Sequence, residues 1–144
     1  MTKQEIFAHI NSNPGFFLAT AEGNQPHVRG MHLFRADEQG IIFHTSAIKD
    51  VCKQIFANPN VELCFYDAKS NVQVRVTGRL ETVSDQALRD EITAHPSRAY
   101  LKAVIAGIGQ ETFNKTFTVF RLKKGEAVVW TFETNMAPKT KIIL

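Results

Sequence analysis

A chain of 144 residues, 44% of them hydrophobic, suits one compact domain with a real core, and a second domain is not expected. Its 17 basic and 14 acidic residues leave only +3, scattered along the chain, which excludes a nucleic-acid stripe and favours a modest anionic ligand over a polyanion. No apolar run approaches the ~18 residues that span a bilayer, and Met1-Thr2-Lys3-Gln4-Glu5 carries no signal-peptide pattern. Cys52 and Cys64 form no CxxC, so a cytoplasmic protein with reduced thiols is expected.

Thr2 and Glu5 form a capping box for a first helix with the apolar stripe Ile6, Phe7 and Ile10, stopped by Asn13-Pro14-Gly15. Residues 16–22 and 26–36 read as a hairpin across the turn Gly23-Asn24-Gln25. After Asp37-Glu38-Gln39-Gly40, the run Ile41-Ile42-Phe43 is a buried strand that empties into an amphipathic helix. That helix has Ile48, Val51, Cys52, Ile55 and Phe56 on its inward face and Lys49 and Lys53 on the other. Thr45 or Ser46 is its natural N-cap, and Asn58-Pro59 ends it. Residues 61–67 and 72–83 are further strands; in the second, Val72, Val74 and Val76 share one face while Gln73, Arg75 and Thr77 share the other. Ser84 caps a short helix over 85–94 with Leu88 and Ile92 inward, 97–105 reads as another helix, and Gly107-Ile108-Gly109 as a loop. Two strands, 116–122 and 127–132, close the pattern, and 133–144 is expected to be irregular. Six or seven hairpin-linked strands with no βαβ alternation predict an antiparallel barrel or half-open barrel with peripheral helices, in a single domain over 1–144.

The junction at 44–49 is the first candidate site. A helix N-terminus offers unpaired N–H groups and partial positive charge, and His44, Thr45, Ser46 and Lys49 sit beside it, which suits a phosphate. The plainer reading is that a hydroxyl only caps the helix and the lysines only solubilise it. Arg29 points a fixed charge out of an otherwise apolar strand, and Gly30 beside it lets a flat ligand approach the backbone. Trp130, the only tryptophan, lies in the last strand. His27, His32 and His44 do not have metal-ligand spacing, and no nucleophile elbow or exposed Cys–base pair supports hydrolysis.

Four blocks taken in order, H-V-R-G-M-H-L-F (27–34), G-I-I-F-H-T-S (40–46), K-x-x-x-K-Q-I-x-x-N-P-x-V-E-L-x-F (49–65) and Q-V-R-V-T-G (73–78), resemble the pyridoxamine 5'-phosphate oxidase-like family of FMN-binding split barrels over residues 5–133. Within it the chain is most similar to the general stress protein and nitroimidazole-reductase-like group. The resemblance implies a mainly β fold, a six-stranded antiparallel split barrel with peripheral helices, that forms a homodimer with FMN at the subunit interface. It implies that Arg29 meets the FMN phosphate and that the main chain of Gly30 and Met31 runs along the flavin. His44, Thr45 and Ser46 hold the phosphate and ribityl chain, Gln73 reaches the ring from the partner, and Trp130 lies near it. One departure stands out. Asp50 and Val51 occupy the positions of the oxidase's phosphate-gripping Arg-Lys pair, so Lys49, with Lys53, would supply the charge. The arginine-rich segment of the oxidase is missing from N-M-A-P-K-T-K-I-I-L, which disfavours pyridoxamine phosphate oxidation. The reading is a reductase of a small molecule with a reduced nicotinamide nucleotide, NAD(P)H, as donor, and with no membrane or nucleic-acid partner. The alternative is a non-catalytic flavin or haem binder with His32 or His44 as axial ligand.

Overall fold

The computed structural model describes residues 1–144, and its frame is one antiparallel sheet of nine strands rather than the expected six. In chain order the elements are α1 (Lys3–Ser12), β1 (Gly15–Glu22), β2 (Gln25–Asp37), β3 (Gly40–Ser46), α2 (Asp50–Ala57), β4 (Asn60–Asp67), β5 (Val72–Arg79) and β6 (Glu81–Thr82). Then come α3 (Gln86–Ala94), a 3-10 turn (Pro96–Arg98), α4 (Leu101–Ile108), α5 (Gln110–Thr116), β7 (Phe117–Leu122), β8 (Gly125–Trp130) and β9 (Lys141–Ile143). The spatial order is β6-β7-β3-β2-β1-β4-β5-β8-β9, a curled half-barrel of the split-barrel type.

Period-two alternation sends Phe16, Leu18, Leu63, Phe65, Val74 and Val76 into the curl, where α1 contributes Ile6, Phe7 and Ile10 and α2 contributes Val51, Cys52 and Ile55. Phe16 anchors this core, stacked on Phe65 at 5.0 Å between centroids and edge-on to Phe43 at 5.4 Å. A second core forms on the far side of β3 and β7, where Ile42 and Val119 meet Leu88, Ile92, Leu101 and Phe113 of the helices. Burial on both faces is why β3 and β7 read as continuous apolar runs. A bulge in β2 between Leu33 and Arg35 turns this long strand from one part of the sheet to the other.

The capping box at Thr2 and Glu5 forms as expected, and so does the Ile6–Phe7–Ile10 stripe. Other expectations need correction. The ladder with β7 continues through Thr45 and Ser46, which pair with Thr118 and Phe117, so neither residue caps α2; Lys49 is its N-cap and makes no capping bond through its side chain. The helix therefore starts later and is rotated. Ile48 and Phe56 are exposed, while Gln54 is buried beside Val51, Cys52 and Ile55. Asp85, not Ser84, caps α3 by accepting from the Ala87 N–H. The strand expected over 72–83 breaks at Leu80, whose N–H bonds to the Pro59 carbonyl, and its remainder, β6, joins β7 on the opposite edge of the sheet. The tail pairs as β9 along β8, and α5 follows Gly109, whose φ of 85° ends α4.

The outer face of β2, β1, β4, β5 and β8 carries registered rows: Gly30–Phe17–Cys64–Arg75–Val128 and, one step along, Val28–Ala19–Glu62–Thr77–Glu126. No helix covers this face, and Val28 is 68% and Phe17 56% exposed.

Gly125 and Gly30 make a matched test of packing. A Cβ on Gly125 would lie 2.6 Å from Leu122 Cδ2 and 2.9 Å from Val76 Cγ1, whereas one on Gly30 meets nothing within 4 Å. Gly125→Ala is expected to destabilise the fold by about 1–3 kcal/mol in urea denaturation, and Gly30→Ala by no more than about 0.5 kcal/mol. Equal losses at the two positions would contradict this packing.

Candidate functional site

A cleft of about 730 Å³ opens where β1 and β2 meet the end of β3. Its floor is backbone, with Gly15 and Gly30 offering no side chain and Met31 and Phe17 beside them. One end holds His44, Thr45, Ser46 and Lys49; the opposite wall is apolar, made of Tyr100, Leu101, Val104 and Ile108 with Phe113 and Phe117. Tyr100, Val104 and Ile108 recur every four residues, so they form one stripe of α4, and each is more than a third exposed. No Asp or Glu lines the cleft, and Lys49 makes no ion pair, so its charge is available to a ligand. A more open hollow of about 760 Å³ lies further along the sheet, lined by both signs of charge, Glu62 and Glu126 with Arg79 and Lys124, and by none of the site residues singled out from the sequence.

Of the residues singled out from the sequence, the structure brings Gly30, Met31, His44, Thr45, Ser46 and Lys49 together in this one cleft. Arg29 is elsewhere. It pairs with Leu18 on the inner face of the sheet, and its guanidinium donates to the Leu18 carbonyl at 3.2 Å, to Thr20 Oγ1 at 2.8 Å and to Gln54 Oε1. Thr20 donates to the same Gln54 oxygen at 2.6 Å, so three elements, β1, β2 and α2, are tied at one point. Lys53 is an exposed side chain 3.7 Å from Asp50, outside the cleft lining. Gln73 and Trp130 are registered with each other and with Tyr66 on the outer face. Trp130 also donates to Asn135 Oδ1 at 2.8 Å. Gly30 on β2 is separated from β5 by three strand spacings and from β8 by four, about 14 and 19 Å along the sheet. One chain alone does not bring Gln73 and Trp130 to the cleft floor.

Asp50 is an exposed acid in the first turn of α2 and Val51 is a buried aliphatic residue, so neither supplies a cation at the positions where the resemblance implies an Arg-Lys pair. Two features escaped the sequence. The α4 stripe starts one residue before the helix and runs past the end of the range expected for it, and Arg98, between a His-Pro break and a helix, gives no hint that it is 3% exposed. Its Nε–H donates to His44 Nε2 at 2.8 Å.

Burial lowers the proton affinity of His44 to about 4, with repulsion from Arg98, His32 and Lys49 acting in the same direction. The unfolded chain takes up a proton near the ordinary value of 6.5, where the folded chain does not. The contribution of His44 to stability is therefore complete above that value and is lost as pH falls towards 4, by at most about 1.4 kcal/mol per pH unit. Urea midpoints taken between neutral and acid pH are expected to fall less steeply in His44→Gln than in the parent chain. Parallel slopes would contradict a neutral, half-buried imidazole.

The sheet order, the two cores and the cleft define a split barrel. The pyridoxamine 5'-phosphate oxidase family profile matches residues 2–130, and the chain belongs to that family. It is 30% identical over 102 residues to the pyridoxine/pyridoxamine 5'-phosphate oxidase of Flavobacterium johnsoniae, covering 71% of this chain and 48% of that protein. It thus spans about half the length of this curated relative. Among solved structures, a NimC/NimA family protein from Clostridium acetobutylicum superimposes with a TM-score of 0.74 at 21% identity, covering 98% of this chain and 92% of the other. A pyridoxamine 5'-phosphate oxidase-related, FMN-binding protein from Nostoc punctiforme superimposes with a TM-score of 0.63 at 16% identity, covering 99% and 95%. At these identities the structural likenesses establish the fold.

Proposed function

We propose that the chain binds FMN in this cleft as a homodimer and uses it to reduce a small molecule with NAD(P)H as donor. The observation that carries the reading is an acid-free cleft with a glycine floor, one unpaired lysine at its polar end and an apolar wall facing it. A planar ring needs a floor without side chains, and Gly30 supplies one: a Cβ there would point into open space. A phosphate needs donors and positive charge, and Lys49 with Thr45 and Ser46 supplies both at the polar end, in place of the oxidase's Arg-Lys pair. Arg29 serves this site from the inner face by fixing β2 to α2 through Thr20 and Gln54.

Bound FMN would supply hydride or single-electron transfer; the protein contributes position, exclusion of water and fixed donors. The α4 wall of Tyr100, Val104 and Ile108 keeps the cleft dry on one side. The exposed face bearing Phe17, Val28 and Tyr66 suits a second copy, whose Gln73 and Trp130 then reach a ring seated on Gly30. Neither Lys53 nor Asp50 has a role in this arrangement. A second reading, a haem store, draws on His32: its Nδ1 faces the Leu33 carbonyl at 3.2 Å, whereas Arg98 occupies the Nε2 of His44.

Absorption spectra after incubation with FMN and gel filtration test the reading. One flavin per chain is expected. Lys49→Ala should weaken binding by about 1.5–3 kcal/mol, and Gly30→Val by a similar amount with the fold intact. A colourless protein, or a Soret band in its place, would overturn it, and parental affinity in Lys49→Ala would remove that residue from the phosphate site.

A further inference from the structure

Arg98 is the most deeply buried charged side chain of the protein, at 3% exposure, and it has no carboxylate partner. Its guanidinium donates from Nη2 to the Leu33 carbonyl at 2.7 Å, from Nη1 to Ser97 Oγ at 3.1 Å and from Nε to His44 Nε2 at 2.8 Å. The Phe34 ring lies 5.5 Å from its central carbon. Every acceptor in this set is neutral. A buried ion without a counter-ion is costly, so its persistence calls for a function.

We propose that Arg98 is a positioning residue of the cleft, which fixes His44 in the tautomer protonated at Nδ1 so that the imidazole offers a ligand one N–H donor. The argument is one of donor and acceptor inventory. Guanidinium has donors only, so the His44 nitrogen it meets must present a lone pair, and the proton of the neutral ring must sit on the other nitrogen. That other nitrogen, Nδ1, makes no hydrogen bond within the protein and is not among the buried polar atoms left without a partner, so it is open to solvent on the side where His44 lines the cleft.

The ring stays neutral first because burial disfavours its charged form, and then because the charged or titratable groups facing it are bases: Arg98 from the 3-10 turn, His32 from β2 and Lys49 before α2. From β7 it meets Phe117, with 5.1 Å between ring centroids, and α4 and α5 bring no acid to the cleft. The positive charge behind the imidazole also polarises it and strengthens its remaining N–H as a donor. The cleft therefore favours a neutral or anionic group that accepts a hydrogen bond, such as a carbonyl, carboxylate or phosphate oxygen, and rejects one that only donates. The tautomer stands independently of the cofactor; the use of the donor by a ligand rests on the FMN reading.

Long-range proton–nitrogen correlation on the chain labelled with 15N at histidine reads the tautomer directly. Without ligand, His44 is expected to carry its proton on Nδ1 and to keep that pattern from about pH 8 to about pH 5, below the range where an ordinary histidine titrates. Arg98→Met should give a mixture of tautomers and bring the titration of His44 up towards the ordinary range. A parent chain protonated at Nε2 overturns the proposal whether or not the variant folds, as does a folded variant with an unchanged tautomer. Added FMN should shift the Nδ1 proton downfield; bound FMN with an unmoved resonance overturns the ligand half. If FMN fails to bind while the Nδ1 tautomer is present, the flavin reading fails and the role of Arg98 stands.

Discussion

The antiparallel pairing of β3 with β7 is the constraint on which the rest of the molecule depends. Both strands carry buried residues of a core on each face, with Phe43 and Phe120 inside the curl and Ile42 and Val119 under the helices. Their ladder runs without interruption from Ile41 opposite Leu122 to Ser46 opposite Phe117. Because the pairing persists to Ser46, His44 and Ser46 leave the second core at the mouth of the cleft instead of winding into α2. The same ladder places Phe117, the first residue of β7, against His44. Burial and hydrogen bonding thus set the geometry of the polar end before any ligand arrives.

Electrostatically the cleft is one-sided. Several acidic side chains elsewhere are paired with bases, as in Arg35 with Glu91 and Arg121 with Glu81, while the cleft and the layer behind it hold Lys49, Arg98 and two histidines without an acid. Burial next to like charges costs free energy, and the fold offsets it with two well-packed apolar cores. Arg29 shows the other solution. Its charge is held by a side-chain amide, a hydroxyl and a carbonyl on the inner face, so it braces α2 against the sheet.

Much of this was legible in the sequence. Alternation at Val72, Val74 and Val76, the turn residues at 23–25 and 37–40, and the capping box each follow from local chemistry, and local chemistry located those elements. The four sequence blocks led to the family and to six of the residues that share the cleft. What local chemistry could not show was decided by contacts distant in sequence. The cap of α2 moved to Lys49 because Thr45 and Ser46 belong to a ladder with residues some seventy positions away. Gln54 is buried only because Thr20 and Arg29 meet it. The polar segment Gln110–Thr116 has a single buried side chain, Phe113, and hence no apolar period to reveal a helix. Arg98 looks like a surface arginine until the helices close over it.

In the proposed homodimer the cleft is completed by a second copy of the chain across the open face of the sheet. Val28 tests it cleanly, since it lies on that face, 68% exposed, and does not line the cleft. Sedimentation equilibrium with FMN present, on the parent chain and on Val28→Asp, is the direct measurement. A parent dimer with one flavin per chain, and a Val28→Asp monomer that has lost its flavin, is the result the account predicts. A Val28→Asp monomer that holds FMN with parental affinity would contradict it.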